Sequence, residues 1–186
     1  MSLQGTVYAD LKISVITAVY NCVSSIAQAV RSVQAQSWNS VEHVVIDGAS
    51  TDGTVDVLQS CVNEQTVWVS EPDKGIYDAL NKGMARTTGD VIGLMHSDDF
   101  FADEHVLAHV AAAFSDPGVD AVYGDLDYVA KDDTTRIIRR WRSGDYQPAK
   151  LACGCGLVQK GLAVARGYSW DATHRQTLEV YRSLGA

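Results

Sequence analysis

Apolar residues in this chain come in two rhythms that alternate along its length. The first is a short, unbroken, β-branched run: LKISVITAV, bounded by Asn21, predicts a buried strand. The second is a helical stripe: within residues 22–36, Ile26, Val30 and Val33 recur at spacings of four and three. The alternation then continues. VEHVVID (41–47) predicts a second strand ending at Asp47-Gly48, and Thr51 or Asp52 is placed to cap a helix running to about Ser60. QTVWVS (65–70) predicts a third strand, KGIYDALNKGMAR (74–86) a helix with Ile76, Leu80 and Met84 on one face, and DVIGLMH (90–96) a fourth strand. A helix over 103–115 and a strand over 120–129 follow, and TTRIIRRWRS (134–143) suits a strand on an antiparallel excursion. Past that point the rhythm weakens. Residues 151–167 are rich in glycine without a clean period, and residues 176–184 read as the start of a helix.

Strands this apolar, alternating with helices, predict an α/β fold: a mainly parallel sheet flanked by helices on both faces. In open sheets of this class ligands bind beyond the carboxyl ends of the strands, and there the sequence concentrates polar residues. The first strand runs into Thr17-Ala18-Val19-Tyr20-Asn21, and the second into Asp47-Gly48-Ala49-Ser50-Thr51-Asp52-Gly53-Thr54. The third leads to Glu71-Pro72-Asp73-Lys74-Gly75 and the fourth to His96-Ser97-Asp98-Asp99. Acidic and aromatic groups from distant parts of the chain are thus expected around one crevice.

Charge narrows the chemistry. The 186 residues carry 15 Lys and Arg against 23 Asp and Glu, a formal charge of −8. So acidic a protein is not built to grip the phosphate backbone of nucleic acid, although a bridging dication lets it hold a nucleotide. The acidic residues are 18 Asp and 5 Glu; Asp suits turns, caps and metal sites, whereas Glu decorates helix surfaces. Cys22, Cys61, Cys153 and Cys155 make no disulfide framework, which points to a reduced, cytoplasmic setting. No apolar run approaches the ~20 residues that span a bilayer, and the opening MSLQGTVYAD lacks the basic and apolar regions of a signal peptide. The P-loop, dinucleotide-binding and nucleophile-elbow signatures do not occur.

Each candidate residue has a chemical and a structural reading. Asp98 and Asp99, adjacent at a strand end, project differently, so one can reach a divalent cation while the other accepts from a sugar hydroxyl. Hard oxygen ligands suit Mg²⁺ or Mn²⁺ shared with substrate phosphates; the alternative for Asp99 is a helix start. Asp47 can accept an N–H from a nucleobase or close a turn at Asp-Gly. Tyr20 offers a flat face for a base or edges the core. Asp73-Lys74 can contact phosphate or form a surface ion pair, and His96 can orient the acidic pair beside it.

These clusters, in this order, resemble family 2 glycosyltransferases of the GT-A fold, the bacterial polysaccharide type. The matching pieces are ISVITAVYN (13–21), HVVIDGASTDGT (43–54), SEPDKGIYDALNKGMARTTGDVIGLMHSDDFF (70–101) and DAVYGD (120–125). The resemblance implies inverting transfer of a sugar from a nucleotide-diphospho-sugar donor, foremost a UDP-sugar, to the hydroxyl of a sugar or lipid-linked sugar acceptor. It also implies help from Mn²⁺ or Mg²⁺, and a cytoplasmic enzyme peripheral to the inner face of the membrane. Position by position, it puts Thr17, Val19 and Tyr20 in the base pocket, Asp47 on the base and Asp98 on the ribose or donor sugar. Asp99 falls on the metal, and Asp73, Asn81 and Lys82 face the donor.

The same resemblance divides the chain into an N-terminal extension (1–10, with Met1–Leu3 read as vector-derived), a donor-nucleotide-binding domain (11–142) and an incomplete acceptor-side region (143–186). The family draws its catalytic base from a later segment, which residues 143–175 do not match. No residue is assigned to that role, Asp145 and Asp171 being the acidic groups there before Glu179. On this reading the chain is truncated or altered after about residue 142, binds donor without efficient transfer, and self-associates through apolar surface left bare. A nucleotidyltransferase is the competing enzyme reading, but ITAVYN has neither the glycine nor the basic residue such enzymes use on a triphosphate. A catalytically incompetent nucleotide-binding fragment is the third.

Overall fold

The computed structural model describes residues 11–143 and the short strand 163–165. Its elements run β1 (Ile13–Val19), α1 (Ile26–Gln34), β2 (Val41–Asp47), α2 (Thr54–Cys61), β3 (Thr66–Ser70), α3 (Ile76–Met84) and β4 (Val91–Leu94). They continue through α4 (Val106–Ala113), β5 (Ala121–Val122), β6 (Leu126–Val129), β7 (Ile137–Trp141) and β8 (Ala163–Ala165). Six strands form one sheet in the order β3-β2-β1-β4-β8-β5. β1 lies parallel between β2 and β4, and β3 lies parallel to β2 at the edge. β8 runs antiparallel to both its neighbours, and β6 and β7 form a separate antiparallel hairpin.

The buried strands show why their sequences do not alternate apolar with polar. All seven residues of β1 are buried, because both faces of the sheet are covered. Odd-numbered Ile13, Val15, Val19, Val45 and Val91 pack with Ile26, Val30 and Val33 of α1, Leu58 of α2 and Leu107 and Ala111 of α4. Even-numbered Ile16, Ala18, Val44, Ile46 and Ile92 pack with Ala79 and Leu80 of α3. Helix α3 comes close enough that a Cβ on Gly83 would stand 2.5 Å from Cγ2 of Ile16.

Thr17 and His43 are among the polar side chains buried in the strands. The Thr17 hydroxyl and His43 Nε2 share a 3.0 Å hydrogen bond on the α1 side of the sheet. Burial holds the His43 pKa down to about 4, so the ring is neutral at physiological pH. Its Nδ1 is a buried nitrogen without a partner among the described residues.

At the amino ends of the strands, Glu42 gathers donors. Ser14 Oγ donates to it at 2.5 Å, the Thr88 N–H at 2.5 Å and the Thr88 hydroxyl at 2.7 Å, and Lys12 Nζ stands 3.0 Å away. Burial alone would raise the Glu42 pKa; these hydrogen bonds outweigh it and hold the carboxyl at about 2.

Three expectations change. The strand expected over 120–129 divides, β5 joining the main sheet and β6 the hairpin. Asp125 Oδ1 accepts both the N–H and the hydroxyl of Ser143 at 2.9 Å, fastening the start of β6 beside the end of β7. The capping residue of α2 is Gly53, at φ 96, rather than Thr51 or Asp52. Asp52 supports the same turn from one position upstream, accepting from the Thr54 N–H at 3.0 Å and the Thr54 hydroxyl at 2.5 Å. Finally, α1 starts at Ile26, residues 22–25 forming turns ahead of it.

Candidate active site

The parallel register brings Val19, Asp47 and Ser70 level at the carboxyl ends of β1, β2 and β3. β4 stops lower, with Leu94 opposite Ile16, so the chain from Met95 onward climbs past the end of β1; the Met95 N–H still bonds to Ile16 O at 3.0 Å. Loops from all four strands therefore leave along one edge. Between them lies a cleft of about 580 Å³, lined by Ala18, Val19, Tyr20, Gly48, Pro72, Asp73, Gly75, Ile76, Ala79, His96, Ser97 and Asp98.

Hydrogen bonds set the shape of these loops. Asn21 and Ala49 adopt left-handed backbone at φ 50 and 62, and they sit where the β1 and β2 loops meet. There the Asn21 N–H donates to Ser50 Oγ at 2.8 Å, and the Thr51 N–H donates to Asn21 Oδ1 at 2.9 Å. The Val23 N–H reaches Asp52 Oδ2 at 3.0 Å, and the Cys22 N–H reaches the Thr54 hydroxyl at 2.9 Å. On the other side, Asp73 Oδ1 accepts from the Gly75 N–H at 2.8 Å, closing a turn whose glycine sits at φ 109. A Cβ on Gly48 would stand 2.5 Å from Asp73 Oδ2 and 3.3 Å from the Tyr20 ring, so only glycine lets the aspartate and the aromatic approach across it.

The structure brings four of the expected site residues into the cleft wall: Val19, Tyr20, Asp73 and Asp98. Tyr20 is 62% exposed and belongs to the rim, not to the core edge. Asp99 is on the same edge, next to Asp98, an exposed residue whose carboxyl is nevertheless partly desolvated. Burial of its carboxyl and the neighbouring Asp98 charge push its pKa up, with His96 pulling the other way. It does not start a helix: α4 begins at Val106, and the His105 N–H is taken by Asp103.

The remaining expected residues stand behind the wall. Thr17 is fully buried beneath it against His43. Asp47, also fully buried, accepts from the Ser50 N–H at 3.0 Å, the Ser50 hydroxyl at 2.5 Å and the Ser70 hydroxyl at 2.6 Å. Three of a carboxylate's roughly four acceptor positions are thus occupied. Asn81 is half-buried on α3, and Lys82 turns to the back of the β3 loop, its Nζ 2.7 Å from Pro72 O. Sequence reasoning missed Ile76 and Ala79 as wall residues. Ile76 fits the helical stripe of Leu80 and Met84, yet it is 43% exposed, because the first turn of α3 overhangs the cleft instead of the sheet.

A sequence profile of glycosyl transferase family 2 matches residues 14–172. This chain belongs to that family. The match passes through β8 and reaches beyond residue 142, where the motif-by-motif resemblance ends. Among relatives of this family 2 glycosyltransferase, an uncharacterized glycosyltransferase of Mycobacterium tuberculosis is 41% identical over 107 residues, covering 57% of this chain and 41% of that protein. One from Nostoc is 32% identical over 128 residues, covering 67% and 39% respectively. A glycosyltransferase of PGL/p-HBAD biosynthesis in Mycobacterium bovis is 31% identical over 117 residues, covering 61% and 46%. The chain thus spans under half the length of these relatives.

Solved structures give the same architecture. A Pyrobaculum calidifontis mannosyltransferase in complex with GDP-Man and Mn²⁺ superposes with a TM-score of 0.58 at 26% identity, over 61% of this chain and 35% of that one. S. aureus TarS in complex with UDP-GlcNAc superposes with a TM-score of 0.55 at 24% identity, over 60% and 33%. The chain has the GT-A fold of these glycosyltransferases.

Proposed function

We propose that this enzyme transfers a sugar, with inversion at the anomeric carbon, from a nucleotide-diphospho-sugar to an acceptor hydroxyl, in cytoplasmic assembly of a bacterial polysaccharide or glycolipid. UDP-sugars are the first donor candidates, and a lipid-linked acceptor would put the enzyme at the inner face of the membrane. The observation that carries the reading is the cleft, which gathers Tyr20, Asp73 and Asp98 from three separate strand ends. Its volume falls within the roughly 300–1,000 Å³ of small-molecule sites. The mannosyltransferase bound to GDP-Man and Mn²⁺ supports a nucleotide-sugar donor.

The chain's own residues divide the work. The exposed Tyr20 ring offers a stacking face for the base, and Gly48 keeps the space between that ring and Asp73 clear. Asp47 sits under the same loop, with Ser50 and Ser70 as the groups a base would displace or bridge to reach it. Asp98 lies in the wall, where it can accept from ribose or sugar hydroxyls. Among the described residues no three His, Cys, Asp or Glu side chains gather as a closed metal cage. An adjacent pair of carboxylates at the mouth of a cleft nevertheless fits Mn²⁺ or Mg²⁺, which commonly bind one or two carboxylates together with substrate phosphates. Asp99, with Asp98 beside it, would hold the ion, and a bound ion supplies neutralisation of charge on the departing diphosphate. Inversion also needs a carboxylate to take the acceptor's proton; Asp145, Asp171 and Glu179 lie outside the described residues, and none is assigned.

Calorimetric titration of UDP and GDP in the presence of Mn²⁺ tests the reading on wild type and Asp99→Ala. Wild type is expected to bind one of them, and the variant about tenfold or more weaker, a difference of ~1.4 kcal/mol or above. Equal affinities, or binding by neither protein, would sink it. We further expect this chain to bind donor without efficient transfer, and brisk turnover would contradict that part.

A further inference from the structure

We propose that Lys82 is a positioning residue: from behind the loop joining β3 to α3 it holds Pro72, and so sets where Asp73 stands in the cleft. The proposal rests on the cleft being the donor site, but its geometry can be tested apart from that. Lys82 projects from α3 with its side chain 24% exposed. Its Nζ donates to Pro72 O at 2.7 Å and lies 3.4 Å from both Glu71 Oε1 and Asp78 Oδ2. One carbonyl hydrogen bond and two carboxylates at ion-pair distance thus engage the ammonium on the loop side.

The loop needs such a fastening. Among the described residues, backbone bonds secure only its ends: the Glu71 N–H to Asp47 O at 2.9 Å, and the Asp78 and Ala79 N–H groups to Gly75 O at 3.0 and 3.2 Å. Pro72 has no N–H to give. Between the ends, the turn is held by Lys82 on Pro72 O, by Asp78 Oδ2 on the Lys74 N–H at 3.0 Å, and by Asp73 Oδ1 on the Gly75 N–H. Lys82 also pairs with that Asp78 oxygen, so it braces two of the three. Arg86, just past the end of α3, adds a second cation 3.6 Å from Glu71 and donates to Lys82 O at 2.9 Å. Pro72, Asp73 and Gly75 all line the cleft, and Asp73 Oδ2 occupies the space that only a glycine at 48 leaves open. A small shift of the loop therefore moves that carboxylate relative to Tyr20. Half-exposed ion pairs add little stability by themselves; the contribution here is to placement.

Lys82→Met tests this against Lys82→Arg and against Lys12→Met, which breaks an ion pair at the opposite end of the strands. Hydrogen exchange of the peptide spanning Lys74 and Gly75 should accelerate several-fold in Lys82→Met, recover in Lys82→Arg and stay at the wild-type rate in Lys12→Met. Affinity for UDP with Mn²⁺ should fall about tenfold in Lys82→Met, and less than additively when combined with Asp73→Ala. Unchanged loop exchange in Lys82→Met overturns the proposal, with or without nucleotide binding. Weakened affinity without faster exchange also overturns it, because Lys82 would then act on the ligand directly. If wild type binds no nucleotide, the donor-site reading fails, and the exchange data still decide whether Lys82 places the loop.

Discussion

Glu42 and Asp99 stand at opposite ends of the parallel strands, and their surroundings drive their proton affinities apart. Glu42 is saturated with donors and held at about 2, whereas Asp99 is pushed upward by burial and the adjacent Asp98. The first carboxylate is satisfied by the fold; the second gains most from an incoming cation. Glu42 makes the difference measurable as stability. Its pKa falls from 4.5 to about 2 on folding, so its contribution is complete above pH 4.5 and is lost as pH drops towards 2. The full span corresponds to about 3 kcal/mol at ~1.4 kcal/mol per unit. Urea unfolding of wild type and Glu42→Gln should therefore differ most at pH 6 and converge near pH 2.5; a gap independent of pH would contradict the assignment. Individual residues were unevenly legible in the sequence. Tyr20 and Asp98 were readable because they follow apolar strands directly. Lys82 was not, since its partner is a proline carbonyl whose position depends on tertiary structure.

Elements were read more reliably than residues, because their signal is spread over many positions. The apolar runs of β1 and β2 and the α1 stripe needed no tertiary information, and TTRIIRRWRS does form an antiparallel strand, β7. What escaped was the break between β5 and β6, where the chain changes sheets and Asp125 pairs with the distant Ser143. Gly83 is a case where local and tertiary preference conflict. Alanine is a better helix former by about 1 kcal/mol, yet its methyl would meet Ile16, which is fully buried and cannot swing away. Gly83→Ala should lose about 1–3 kcal/mol in chemical denaturation, as overpacked cores do. A stabilised variant would show instead that α3 can move off the sheet.

At the scale of the whole molecule, the hairpin of β6 and β7 stands apart from the main sheet and leaves Ile138 65%, Tyr128 52% and Ile137 38% exposed. Self-association through this hairpin follows if its exposed apolar side chains are buried between copies. Light scattering after size exclusion should give a mass above 20.1 kDa that falls on dilution, and Ile138→Asp should return it to the monomer. A wild-type monomer at every concentration would remove the idea. The sheet carries a different lesson. β8 lies between β4 and β5, although it follows β5 by some forty positions in the chain. On a ribosome, the first four strands can zip together as they emerge, but β5 must wait for residues 163–165 before it has a neighbour. A nascent chain therefore passes through a stage in which β4 is an unpaired edge, and any stop codon upstream of that last strand would leave the edge for another molecule to pair with.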